Sequence, residues 1–156
     1  MNHSNFTDVQ ALHLRYAQIV DSSDFSAWPD LFTEQCIYQI QSRENHEAGL
    51  PLSILRFESQ AMLRDRVYGA QQTIYHDPYY QRHIVSAPLL TQEDGDCIEA
   101  DTAYLVIRTH RNAMPEILSV GRYLDRMVRT SEGLKFSQRL CIFDNDLIAN
   151  SMIKPI

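Results

Sequence analysis

The sequence predicts an α+β fold, with three helices near the N-terminus packed in a strongly curved antiparallel sheet that forms a cone with an open mouth. Three observations carry this. Apolar residues recur at three-to-four spacing only within the first seventy or so positions. From Gln81 onward the chain alternates in long segments broken by short polar turns. No linker, repeat or low-complexity segment interrupts this order, so residues 1–156 are expected to form a single domain with one pocket.

The first helix follows from Val9, Leu12, Tyr16, Ile19 and Val20, with Thr7 as a candidate cap. Ser22-Ser23-Asp24 ends it and offers a cap for a short second helix carrying Phe25, Trp28, Leu31 and Phe32. Pro29 sits in that helix's first turn, where a missing N–H costs little. A strand is expected over Cys36 to Gln41, then a polar loop, Ser42 to Glu47, and an extended piece from Leu52 to Phe57. The third helix runs from about Ser59 to Ala70, with Gly69 as its terminator. Pro78 disfavours helix at Asp77 and makes Tyr75 to Tyr80 a turn. Strands are then expected over Gln81–Leu90, Cys97–His110, Glu116–Arg129 and Leu134–Phe143. In the second of these, Ala103, Leu105 and Ile107 face one side and Thr102, Tyr104, Val106 and Arg108 the other.

Composition excludes several function classes. With 44% hydrophobic residues the chain is not intrinsically disordered, and no apolar run approaches the roughly 18 residues of a membrane helix. The 14 Lys and Arg stand against 20 Asp and Glu, and no basic cluster suits nucleic acid. The N-terminus lacks a basic and then apolar leader, which makes the cytoplasm the expected compartment. Only Lys135 and Lys154 are lysines; the other twelve cations are arginines, which together with eight tyrosines point towards protein–protein contact. Cys36, Cys97 and Cys141 stand far apart in apolar surroundings and read as buried free thiols. There is no C-x-x-C, C-x-H or C-x-x-H spacing for a zinc ribbon or a Rieske cluster.

Six segments, taken in order, carry a resemblance that covers nearly the whole chain. They are Tyr16-Ala17-x-x-x-Asp21-x-x-Asp24-x-x-x-Trp28-Pro29-x-x-Phe32-x-x-x-Cys36-x-Tyr38, Glu44-Asn45-His46-Glu47-x-Gly49, Met62-Leu63-x-Asp65-Arg66, Tyr80-x-Arg82-His83-Ile84-Val85, Ser119 to Asp125, and Arg139 to Asp144. Together they resemble the small (β) subunits of Rieske-type aromatic-ring-hydroxylating oxygenases. The likeness is greatest to the branch acting on hydroxylated or carboxylated benzenes, such as salicylate 5-hydroxylase. The resemblance implies the cystatin-like cone shared with ketosteroid isomerase and scytalone dehydratase, and a structural, non-catalytic role within an oxidoreductase. It also implies assembly with a large α subunit, typically as three α and three β, a self-trimer being the alternative. That α subunit would carry the Rieske [2Fe–2S] cluster and the mononuclear iron, fed with NAD(P)H electrons through a ferredoxin and reductase.

His76, Asp77 and His83 invite a two-histidine, one-carboxylate iron site, but their spacing fits no helix face and Pro78 separates them, so these histidines read as structural. Asp21, Tyr38 and His83 are the pocket candidates. In related cones an acid from the first helix converges with a tyrosine and a histidine from strands, a set able to perform general acid–base chemistry. The competing reading is a buried network that only satisfies its own polar groups, and the resemblance to a non-catalytic subunit favours it. Tyr79, Tyr80 and Arg82 are expected at a subunit interface. Arg122, Arg126 and Arg139, with Asp125, are expected in cross-strand ion pairs and as further interface candidates. Trp28 reads as core.

Overall fold

The computed structural model describes residues 3–22, 24–147 and 152–156. Along it run α1 (His3–Asp21), a 3₁₀ turn (Trp28–Leu31), β1 (Phe32–Ser42), α2 (Arg43–Glu47), β2 (Leu55–Ser59), α3 (Gln60–Tyr68), a π turn (Gly69–Thr73), β3 (Tyr79–Val85), β4 (Leu89–Asp94), β5 (Cys97–His110), β6 (Glu116–Thr130) and β7 (Gly133–Phe143). Val9, Leu12, Tyr16 and Val20 form the buried stripe of α1, as their spacing requires. His13, equally buried, lies among them.

Hydrogen bonding orders the strands β2-β1-β7-β6-β5-β3, with β4 also on β5. α1 reaches β1 through the Tyr16 and Tyr38 hydroxyls and β3 through Asp21 and His83. These strands stand four positions apart, about 19 Å in a flat sheet, whereas a helix with its side chains is about 10–12 Å across. One helix can touch both only because the sheet curls round it, which is the physical content of the cone.

Several elements differ from expectation. The sheet is mixed, not wholly antiparallel: β1 pairs parallel to β7, with Tyr38 beside Arg139 and Ile40 beside Cys141. Tight turns set the antiparallel run of β5, β6 and β7, but nothing local dictates what lies on the far edge of β7. The second helix shrinks to a 3₁₀ turn, since Phe32 already belongs to β1 and Pro29 lacks an N–H. Residues 43–47 form a helical turn capped by the Ser42 side chain, which accepts from the Asn45 N–H at 3.2 Å. Ser59 caps α3 through the Met62 N–H in the same way.

Gly69 is the C-cap of α3, as expected, but it keeps right-handed helical angles (φ −57°, ψ −47°), so the chain continues into the π turn. The Gly69 carbonyl accepts from the Ile74 N–H at 2.9 Å, five residues on, and widens the last turn. Thr7 lies inside α1 rather than at its cap, and Ser23 falls outside the described residues. The expected strand Gln81–Leu90 is two strands, because Pro88 has no N–H to give a ladder. Between them the Ser86 side chain accepts from the Ala103 N–H at 3.1 Å, and both strands share one edge of β5. Thr102, Tyr104, Val106 and Arg108 form the inner face of β5.

The core is aromatic and contains one full charge pair. Trp28, Phe32, Tyr38 and Phe136 are wholly buried, and Trp28 meets Tyr38 edge-on at 5.0 Å. Arg139, expected at an interface, is instead 0% exposed. Its Nε donates to Asp125 Oδ1 at 2.9 Å and one Nη to Oδ2 at 2.7 Å, while His13 Nε2 lies 2.8 Å from the same Oδ2. Its guanidinium carbon lies 4.1 Å from the centroids of Tyr16, Tyr123 and Phe136. Close packing also explains Gly121: a Cβ there would stand 1.9 Å from the Ile142 carbonyl oxygen across the β6–β7 pair.

Removing one partner of a buried pair strands the other charge. Arg139→Met and Asp125→Leu are each expected to cost about 3–5 kcal/mol in urea unfolding. Since neither charge is then left alone, the double variant should be more stable than the sum of the two losses by at least about 1 kcal/mol. Strict additivity would show that the pair is not the unit that matters.

Candidate functional site

The pocket candidates divide into two groups. Asp21 closes the last turn of α1, and His83 lies on the inner face of β3. Asp21 Oδ1 is 2.6 Å from His83 Nδ1, and Asp21 Oδ2 accepts from the His83 backbone N–H at 2.9 Å. The carboxylate therefore fixes both the ring and the strand. His83 Nε2 is buried with no hydrogen-bond partner among the described residues. Burial lowers the His83 pKa below its ordinary value, and the pull of Asp21 does not overcome it. The result is a neutral imidazole oriented by a carboxylate, the geometry of a general base held away from water.

Tyr38 does not join that pair. Its hydroxyl donates to the Ile156 carbonyl at 3.0 Å and accepts from the Ile156 N–H at 3.0 Å, while Tyr16 donates to the same carbonyl at 2.7 Å. The Cys141 thiol approaches that oxygen at 3.5 Å. Burial raises the pKa of Tyr16 and of Tyr38 and pushes the Cys141 thiol up to about 12, so all three remain protonated donors at neutral pH. The Tyr16 ring meets His83 edge-on at 6.2 Å and links the two groups.

The interior of the cone is filled by residues 152–156. Ile156 is completely buried, and Met152, Ile153 and Lys154 are nearly so. Arg66 donates to the Met152 and Ile153 carbonyls at 2.8 and 3.0 Å, and Gln81 donates to the Pro155 carbonyl at 2.7 Å. Sequence reasoning missed this segment, together with the roles of Tyr16, Gln81 and Arg66. The available signal was an apolar Met152-Ile153 and Pro155-Ile156 stretch following the last strand.

Of the interface candidates, Tyr80 is 79% exposed, Arg82 is exposed and Tyr79 is half-buried, with its ring 5.3 Å from the Lys154 ammonium. Arg122 pairs with Asp101 at 3.0 Å and Arg126 with Glu99 at 2.7 Å across the β5–β6 pair. Arg139 leaves the set, because it is buried in the core.

The described residues do not fit a metal centre. Among the described residues no three His, Cys, Asp or Glu side chains converge in a way that could hold an ion. His76 Nδ1 bonds the Asp77 carbonyl at 3.0 Å, whereas His83 is buried against Asp21. All three cysteines are free, Cys36 and Cys141 buried and Cys97 half-buried. No helix among the described residues is long and apolar enough to cross a membrane.

Comparison with known proteins gives concordant results. Residues 4–140 match the SnoaL-like domain family. The anthranilate 1,2-dioxygenase small subunit of Burkholderia cepacia is 32% identical over 96% of this chain and 92% of its own length. A terephthalate 1,2-dioxygenase terminal oxygenase β subunit from a Comamonas species is 28% identical over 97% of this chain and 99% of its own. The crystal structure of a protein from Novosphingobium aromaticivorans, assigned as the β subunit of an aromatic-ring-hydroxylating dioxygenase, superposes with a TM-score of 0.89. It covers 98% of this chain and 97% of its own, at 28% identity.

His13 and His83 both have pKa values lowered from 6.5 by burial. As the pH falls through that value the unfolded chain takes up protons that the folded chain refuses, so stability is fully present well above pH 6.5 and is lost as the pH drops through and below it. Asp125, held low by Arg139 against the effect of burial, contributes a loss only further down, below its ordinary 3.8. Thermal melts should therefore decline between about pH 7.5 and about pH 5, and His83→Gln should flatten that decline. A slope unchanged by His83→Gln would remove His83 from this role.

Proposed function

The chain belongs to the SnoaL-like domain family and to the small subunits of aromatic-ring-hydroxylating dioxygenases, and we propose that it acts as the structural, non-catalytic partner of an oxygenase large subunit. In this reading the large α subunit carries the Rieske [2Fe–2S] cluster and the mononuclear iron. Electrons reach it from NAD(P)H through a ferredoxin and reductase. The substrate is an aromatic acid of the benzoate or salicylate class. The assembly contains three α and three β chains in the cytoplasm, with residues 1–156 as one domain. The observation that carries the reading is the 32% identity to the anthranilate 1,2-dioxygenase small subunit across 96% of this chain.

Two features of the molecule support it. The cone interior, where an isomerase or dehydratase would hold its substrate, is filled by Ile156 and its neighbours. The outward side chains of β3 and β6 include exposed Tyr80, Ile84, Ile117 and Val120, an apolar surface suited to a partner subunit. The alternative is a stand-alone isomerase or dehydratase using Asp21, Tyr38 and His83. It draws on the Asp21–His83 pair but requires a Tyr38 that is engaged by Ile156.

Co-expression with the large subunit and assay of the reconstituted oxygenase separate these readings. Asp21→Asn keeps one acceptor oxygen and turns the other into an NH₂ donor, so the His83 ring and backbone N–H can no longer both be satisfied, expected to cost roughly 1–3 kcal/mol and to lower yield or melting temperature. Per assembled iron centre, turnover should stay within a few-fold of the parent. Removal of a true general base costs about 10²–10⁴ in rate while the fold survives. A loss of that size in an iron-replete complex would overturn the accessory role.

A further inference from the structure

Two cations lie largely out of water with no acid to answer them. Lys154 is only 8% exposed, and Arg66 is half-buried, its Nε shut away and unbonded among the described residues. One Nη of Arg66 donates to the Met152 and Ile153 carbonyls, at 2.8 and 3.0 Å, and neither oxygen carries a full charge. Among the described residues no Asp or Glu lies within ion-pairing distance of either side chain. Asp21 acts on Lys154 from further off, and its carboxylate is already bonded to His83. The remaining residues, 1, 2, 23 and 148–151, include no acid. A cation taken out of water without a counter-anion is costly, and a ligand that brings one removes the cost.

Lys154 borders a depression of about 500 Å³. This hollow lies among the link from α1 to the 3₁₀ turn, the π turn and the loop before β3, outside the packed interior of the cone. Phe25, Ile74, Pro78 and Tyr79 give it apolar walls, with the fully exposed ring of Tyr75 at its mouth. The Lys154 ammonium stands 5.3 Å from the Tyr79 ring centroid, which offers it an aromatic face but no countercharge. Asp24 is the carboxylate on the rim, and its own neighbours hold it. Its Oδ1 accepts from the Ser26 N–H at 2.9 Å and from Gln71 Nε2 at 3.2 Å. Apolar walls around one placed charge, in a hollow of this size, are the form of a small-molecule site.

We propose that this depression binds a small aromatic carboxylate, with Lys154 as its ion-pair partner and Arg66 adding positive potential from behind the Ile153 carbonyl. The sign of the ligand's charge follows from the two unanswered cations, and its aromatic body from the walls. Residues 152–156 stay packed as they are, since the ligand meets Lys154 from the side of the hollow. Burial lowers the Lys154 pKa from its ordinary 10.5, and a bound anion favours the charged form again. The site goes beyond the accessory role and does not rest on it, because every group it needs belongs to this chain.

Calorimetry on the full chain at neutral pH tests this, with 2-naphthoate as the probe and 2-naphthamide as its uncharged analogue of the same shape. Naphthoate should bind at least roughly tenfold more tightly than the amide, and roughly tenfold more tightly than acetate, which has the charge without the rings. It should shift the backbone amide resonances of Tyr75, Tyr79 and Lys154. Lys154→Met should reduce the acid to the affinity of the amide. Lys135→Met removes the chain's other lysine, whose ammonium already bonds Glu132 at 2.5 Å, and should leave the preference intact. If Lys154→Met does not fold, the acid–amide comparison and the resonance shifts in the parent chain decide alone. Equal affinities for acid and amide, a preference that survives Lys154→Met, or shifts confined to other parts of the chain would overturn the proposal.

Discussion

The buried guanidinium of Arg139 is the point on which the rest of the molecule depends. The charge has no exposure and is held from three elements: by Asp125 and the Tyr123 ring on β6, by the Tyr16 ring on α1, whose His13 shares the same carboxylate, and by the Phe136 ring on β7, while one Nη has no hydrogen-bond partner among the described residues. The partners lie on α1, β6 and β7, so satisfying one charge sets the distance of α1 from the sheet and the pairing of β6 with β7. Burial opposes ionisation of Asp125 and of Arg139 alike, yet their mutual attraction prevails in both: the carboxyl is held below and the guanidinium above its ordinary range. An apolar core of the same volume would hold the layers together. It would not specify so narrowly which helix face meets which strand.

From that anchor the inside of the cone follows. With α1 fixed, Tyr16 is presented inward beside Arg139, and Asp21, five residues on, meets β3 at His83. Tyr38 arrives from β1, whose parallel pairing sets it beside Arg139 on β7. The polar groups that resemble an acid–base set therefore have structural duties first. Asp21 binds the end of the helix to an edge strand, and Tyr38 receives both the N–H and the C=O of Ile156. A neutral histidine, oriented by Asp21 and with Nε2 unpartnered among the described residues, lies in the same interior.

The two faces of the sheet divide the labour. Inward, aromatic rings and the Asp125–Arg139 ion pair make the core. Outward, the cations are paired across strands, Arg122 with Asp101 and Arg126 with Glu99, leaving Tyr80, Ile84, Ile117 and Val120 as the apolar component of the surface. Exposed ion pairs contribute little to folding. Their value at a contact surface is orientation, since paired charges penalise a wrongly placed partner more than they reward a right one.

The sequence by itself determined the first and third helices, the long late strands, the α+β class, the buried place of Trp28 and the family, the last through six ordered segments covering nearly the whole chain. These rest on local periodicity or on matched residues, both of which are present before the chain folds. Only the tertiary structure decided which face of β5 is inside. Alternation of period two has no sign when Ala103, Leu105 and Ile107 oppose Tyr104 and Val106, and the buried face proved to be the one bearing Thr102 and Arg108. Only it decided that β1 runs parallel to β7, because a strand's pattern does not name its neighbour. It also moved Arg139 from surface to core and placed Ile156 against Tyr38, contacts whose partners lie 112 and 118 residues apart in the cases of His13 with Asp125 and Tyr38 with Ile156. The burial of a charge or of residues 152–156 is a property of what closes over them, and no local stretch of sequence contains that information.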